Sequence, residues 1–126
     1  MIKEEYKVII AGGRDFVDLR LLTRVCNEIL MPISGKKSIT VISGHAPGAD
    51  RTGERYAQEK GFKIKRMPAD WKKYGKAAGP IRNREMAEQA DALIAFWDGS
   101  SRGTAHMIES ARVKNLNVNV ISYPVL

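Results

Sequence analysis

The chain has one cysteine, two histidines and an aromatic fraction of only 7%. A lone Cys26 forms no intramolecular disulfide, so a disulfide-stapled scaffold is excluded. Its neighbours Leu22, Val25 and Ile29 mark an apolar helix face, which makes the thiol a core group first and a nucleophile second. Cys26, His45 and His106 do not stand at the spacing of a zinc site, and no metal is expected. No apolar stretch nears the ~20 residues that cross a bilayer. Met1-Ile2-Lys3-Glu4-Glu5-Tyr6 lacks a secretory core, so the expectation is a cytoplasmic protein with no membrane partner. Repeats and low-complexity tracts are absent. Acidic residues are scarce: 14 Asp and Glu stand against 21 Lys and Arg, a net charge of +7. That balance favours anionic partners, whether phosphates, nucleotides or nucleic acids.

What is present is an alternation of two periods. Tyr6 to Ala11 (YKVIIA) is a β-branched apolar run ended by Gly12-Gly13. Phe16, Leu19, Leu22, Val25, Cys26 and Ile29 then recur at helical spacing, up to Pro32 and Gly35. Ser38 to Ser43 reads as a second strand, Arg51 to Lys60 as a helix stopped by Gly61 at C′, and Phe62 to Met67 as a third strand. After an irregular stretch over 68–79, Pro80 suits a first helical position, with Ile81 to Gln89 as its helix. Ala92 to Trp97, Thr104 to Lys114 and Val118 to Ser122 add a strand, a helix and a strand. At 126 residues, 44% hydrophobic and 28% charged, the chain supports one core and a single unit spanning residues 1–126. The order predicts an α/β, Rossmann-like doubly wound fold of five mainly parallel strands with helices on both faces. Such sheets bind ligands outside the carboxyl ends of the strands, where the strand order switches direction.

Three glycine-bearing loops fall at those ends. In Gly12-Gly13-Arg14-Asp15 the glycines let amides approach a phosphate, Arg14 offers a paired contact to its oxygens, and Asp15 reads as a helix N-cap. Gly-Gly is also ordinary punctuation between strand and helix. In Ser43-Gly44-His45-Ala46-Pro47-Gly48-Ala49-Asp50, Asp50 either caps the next helix or accepts from a ribose hydroxyl. His45 is either an exposed loop residue or a proton donor. In Asp98-Gly99-Ser100-Ser101-Arg102-Gly103-Thr104 the hydroxyls are donors, Gly103 permits close approach, and a helix start aims unpaired amides at an anion. No loop carries the Gly-Lys-Ser/Thr ending of a Walker motif or a complete Gly-x-Gly-x-x-Gly. Magnesium-dependent NTP hydrolysis and conventional NAD binding are therefore unsupported, and no cofactor is expected.

Residues 68–86, PADWKKYGKAAGPIRNREM, bridge the third and fourth strands. Trp71 and Tyr74 either stack on a base or pack the loop down, and Arg82 and Arg84 either grip an anion or are surface charges. A long loop in a compact fold favours the functional reading. Lys60, Lys63, Lys65, Arg66, Lys72, Lys73 and Lys76 make this region basic, chiefly as a solvated surface.

Together IIAGGRDF, VISGHAPGAD, PADWKKYGKAAGPIRNREM and ALIAFWDGSSRGTAHMI resemble the YspA-type, cpYpsA-related branch of the SLOG superfamily over nearly the whole chain. The resemblance implies a Rossmann-like fold, a site for a nucleotide or nucleotide-derived ligand, and a homo-oligomer. Gly103 and Thr104 are similar to the phosphate loop of LOG-type phosphoribohydrolases, which cleave the N-glycosidic bond of nucleoside monophosphates. In that comparison Arg84 stands for the assisting arginine. Ala105-His106 occupy the place of the acidic residues, and Glu109 is the nearest carboxylate. A hydrolytic version would use Glu109 or Asp98 to stabilise an oxocarbenium-like centre. SGHAPGAD also resembles a motif of DNA-processing protein A, which implies single-stranded DNA binding. The reading that weighs most is a sensor or sequestering protein for an ADP-ribose-like or nucleoside phosphate ligand. Gly12, Gly13, Arg14, Ser43, Gly44, His45, Gly48, Arg82, Gly99, Ser100, Ser101, Gly103 and Thr104 would surround it, with Asp50 on a ribose and Trp71 near a base.

Overall fold

A computed structural model describes residues 4–124. Its strands are β1 (Glu5–Gly12), β2 (Ser38–Ser43), β3 (Lys63–Arg66), β4 (Ala92–Trp97) and β5 (Asn117–Ser122). They form one parallel sheet in the order β3-β2-β1-β4-β5. The helices are α1 (Leu19–Ser34), α2 (Ala49–Lys60), the single turn α3 (Trp71–Tyr74), α4 (Ala78–Gln89) and α5 (Arg102–Val113). Among the described residues no helix is long and apolar enough to cross a membrane.

The central strands are apolar on both sides because both faces are covered. From β1, Val8 and Ile10 join Leu22, Cys26 and Leu30 of α1 and Tyr56 and Ala57 of α2 in one core. Ile9 and Ala11 point the other way, to Met86 and Ala87 of α4 and Met107, Ile108 and Ala111 of α5. The arrangement is the Rossmann-like α/β fold, doubly wound as the alternation predicts. Cys26 is fully buried, and burial pushes its thiol up to about 12, so it is a core group.

Element boundaries differ where tertiary contacts intervene. Asp18, not Asp15, caps α1, its carboxylate accepting from Leu21 N at 3.0 Å. Phe16 is the reason: it is buried against Phe96 and Tyr123, ring centroids 4.6 and 4.9 Å away, so the chain crosses the sheet edge before the helix begins. The stretch 68–79 is not irregular throughout, for it holds α3, a 3-10 turn over Gly75–Ala77 and the start of α4. Pro80 is the third residue of α4 rather than the first, still within the turn whose amides need no helical partner. Gly61 ends α2 in the left-handed conformation at φ 74°, as a C′ glycine does.

Candidate functional site at the sheet's switch point

The sheet runs from β1 towards β2 and β3 on one side and towards β4 and β5 on the other. Beyond the carboxyl ends of β1 and β4 lies a cavity of about 690 Å³, within the ~300–1,000 Å³ of small-molecule sites. Gly12, Gly13, Arg14 and Asp15 line it from β1, and Asp98, Ser101, Arg102, Gly103, Thr104 and His106 from β4 and α5. Asp50 joins from α2, Arg82 and Asn83 from α4, and Trp71 from the bridge.

The first loop is closed by the protein itself. Gly13 N donates to Phe96 O at 3.1 Å, and Gly13 O accepts from Ala49 N at 3.0 Å. A side chain at Gly13 would collide with the Tyr123 hydroxyl, which donates instead to Asp15 Oδ1 at 2.8 Å. Arg14 is exposed at the rim.

The second loop is packed still more closely. A Cβ on Gly48 would sit 2.3 Å from Gly13 O and 2.4 Å from Arg14 O, and one on Gly44 2.4 Å from Arg82 Nη1. At Gly48, whose φ is 86° and whose neighbours are backbone atoms, glycine is required so that the two loops can meet. Arg82 Nη1 donates to Gly44 O at 2.8 Å and Met67 O at 3.3 Å. Ser43 and His45 face a different centre, Glu54, whose Oε2 accepts from Ser43 Oγ at 2.7 Å and lies 2.8 Å from His45 Nδ1. Arg66 Nε donates to the other oxygen at 2.6 Å. Burial pushes the Glu54 carboxyl up, but the hydrogen bonds from Ser43, His45 and Arg66 outweigh it and hold it below its ordinary value. Asp50 is 6% exposed, and its Oδ2 accepts from Ala46 N at 3.1 Å. Burial is the chief cause that raises its carboxyl to about 6, with Ala46 N and the Arg82 and Arg14 charges pulling against it.

The third loop is open. Asp98 Oδ1 accepts from Ser100 N and Ser101 N at 2.9 and 2.8 Å, bonds that hold its carboxyl below the ordinary value. Ser101 precedes α5, and the first intrahelical-type bond runs from Ala105 N to Ser101 O. Among the described residues the amides of Arg102, Gly103 and Thr104 have no protein acceptor, as expected of a first helical turn. A Cβ on Gly103 would meet nothing within 4 Å. The hydroxyls of Ser101 and Thr104 lie 3.3 Å apart beside these amides.

From the bridge, Trp71 stands at the rim, 53% exposed. Asn83, unremarked in the sequence, ties the two sides together. Its Oδ1 accepts from Arg82 Nε at 3.1 Å, and its Nδ2 donates to Gly103 O at 3.3 Å and lies 3.2 Å from His106 Nδ1. Burial, with the Arg84 charge second, holds His106 below its ordinary value. Asn83 shares the buried face of α4 with Met86 and Ala87. Ser43, Gly44, His45, Gly48, Gly99 and Ser100 do not line the cavity, nor do Arg84 and Glu109, both exposed.

Fold and cleft thus define a class: a Rossmann-like protein with an open helix start beside a cavity at its switch point. Comparison with known proteins narrows it. The model of the YspA, cpYpsA-related SLOG family matches residues 6–74, and the chain belongs to that family. Gene 61 protein of Mycobacterium phage D29 is 37% identical over 119 residues, which cover 89% of this chain and 93% of that protein. The solved structure of DNA processing protein A (DprA) from Streptococcus pneumoniae superposes with a TM-score of 0.71 at 17% identity, over 98% of this chain. This chain spans 52% of that one. The structure of TM1055 matches with a TM-score of 0.61 at 18% identity, over 93% of this chain and 72% of its own. At such identities the two structures speak for the fold. Family membership supports a nucleotide-related role.

Proposed function

We propose that residues 1–126 act as one unit that binds a nucleotide or nucleotide-derived ligand, of the ADP-ribose or nucleoside phosphate kind, as a sensor or sequestering protein. One observation carries this reading: the unpartnered amides of Arg102, Gly103 and Thr104 border a cavity of about 690 Å³, with clear space before Gly103. A phosphate group there receives amide hydrogen bonds and the positive end of α5. Arg14 and Arg102, exposed at the rim and lining the same cavity, add charge-assisted contacts. Trp71 offers a base a face to stack on. Hydrolysis has less support, because Glu109 is exposed and does not line the cavity, and Asp98 Oδ1 is occupied by the Ser100 and Ser101 amides.

A second reading, single-stranded DNA binding, is favoured by Trp71 and Tyr74, exposed beside Lys72, Lys73 and Lys76. Salt separates the two. Log affinity for a single strand falls against log salt with a slope of about −0.7 per neutralised phosphate, far steeper than for one small anion. The experiment is native mass spectrometry of freshly purified protein, followed by calorimetry with ADP-ribose, AMP and a short oligodeoxynucleotide at two salt concentrations. A bound nucleotide, or shallow salt dependence with about tenfold weaker binding in Arg14→Ala, is the expected result. Tighter, steeply salt-dependent oligonucleotide binding moves the function to DNA, and silence from every probe removes the site. The same native spectra count the copies in the assembly, where a homo-oligomer is expected.

A further inference from the structure

We infer that Asp50 selects for an intact ribose diol, so that the cavity takes ribonucleotide-type ligands and rejects their deoxy counterparts. The inference rests on the nucleotide reading above. Asp50 lines the cavity yet is 6% exposed. Its Oδ2 is used by Ala46 N, while Oδ1 has no protein donor among the described residues. No buried side-chain polar atom there lacks a partner, so Oδ1 is not sealed inside the protein; its opening is towards the cavity that Asp50 lines. A largely buried carboxylate oxygen with no protein donor is left to solvent in the cavity, and a ligand that supplies a donor takes the place of that solvent.

The surroundings decide the kind of donor. Arg82 and Arg14 act on Asp50 through their charge, but neither bonds it. Arg82 spends Nη1 on Gly44 O and Met67 O and Nε on Asn83 Oδ1. Two guanidinium groups already near the carboxylate disfavour a third cation, whereas a neutral hydroxyl fits. The α5 amides receive an anion in the same cavity. The complementary ligand therefore carries a phosphate at one end and hydroxyl donors at the other, the pattern of a ribose phosphate. The vicinal diol supplies two donors side by side, and the 2′-hydroxyl is what separates ribose from deoxyribose.

The test is calorimetric titration of the purified protein with the four ribonucleoside monophosphates and ADP-ribose, each beside its 2′-deoxy and 3′-deoxy analogues. At least one deletion is expected to weaken binding about tenfold or more, as loss of a hydrogen bond to a charged group does. Asp50→Asn, its folding checked by thermal melting, collapses the ribose-to-deoxyribose ratio towards one. If ribose and both deoxy series bind within about threefold of each other, the role of Asp50 is wrong while the nucleotide site stands. If no ribose compound binds, the nucleotide reading itself fails. The wild-type series decides even where Asp50→Asn does not fold.

Discussion

The stretches 43–50 and 98–104, at the carboxyl ends of β2 and β4, each carry two glycines, at least one hydroxyl side chain, one aspartate and a helix start. After β2, Gly44 and Gly48 lie against Arg82, Gly13 and Arg14 at distances no Cβ tolerates, and the Ala49 amide is spent on Gly13 O. After β4, neither Gly99 nor Gly103 has anything within 4 Å of a would-be Cβ, and three amides of α5 stay unpartnered. One loop uses glycine to bring protein against protein; the other leaves space beside a cavity. The lesson is that a glycine-rich strand-helix turn announces close approach without saying what approaches. Their aspartates differ in burial: Asp98 is half-buried and takes two amides of its own loop on Oδ1, while Asp50 is 6% exposed and takes one amide on Oδ2.

The sharpest way to break this contrast is Gly48→Ala. Its φ of 86° and ψ of −127° suit glycine alone, and a Cβ would strike the backbone of Gly13 and Arg14. Urea denaturation should show a loss of about 3 kcal/mol or more; a loss below about 1 kcal/mol would mean the two loops are not held together there.

A smaller effect comes from pH. The Asp50 pKa rises from 3.8 to about 6 on folding, so the folded state holds a proton more tightly there. Its favourable contribution is complete below about pH 4 and is lost as pH rises through about 6. Relative to Asp50→Asn, the wild type should lose about 1 kcal/mol of stability between pH 5 and pH 7.5. Arg82, Arg14 and Glu54, which surround the carboxyl, are common to both proteins. Parallel stability curves for the two would refute the burial of a free carboxylate.

The least effect on the fold is expected from Gly103→Asp, at the second position of α5. Replacing a helical glycine and placing an acid in the first turn each favour the helix, so stability should change by no more than about 1 kcal/mol. Anion binding should nonetheless fall about tenfold or more, because a carboxylate then stands where the proposed phosphate would be received. Unfolding by this variant, or retained binding, would erase the distinction between the loops.

Much of the architecture was legible in the chain. β2 and β4 fall on Ser38–Ser43 and Ala92–Trp97 as their apolar runs predict, because a strand covered on both faces must be apolar throughout. Boundaries moved where a distant contact overruled a local preference, as Phe16 delayed α1. Of the residues expected around a ligand, Gly12, Gly13, Arg14, Asp50, Trp71, Arg82, Ser101, Gly103 and Thr104 line one cavity. Asn83 and His106 join them unforeseen, since an inward polar residue in a helix has no motif of its own. Ser43 and His45 turn to Glu54, a partner nine to eleven positions along the chain.

Periodicity and glycine punctuation by themselves determined the number of strands, their alternation with helices and the position of the loops, because these follow from backbone geometry and near neighbours. Tertiary structure alone decided which glycines are walled in, which amides remain free and that Asp50 is buried with an oxygen to spare. Those properties depend on atoms far along the chain: Arg82 against Gly44, Gly13 against Gly48, Tyr123 against Gly13. Open space in front of a residue is set by whatever folds up to it, and no local pattern encodes it.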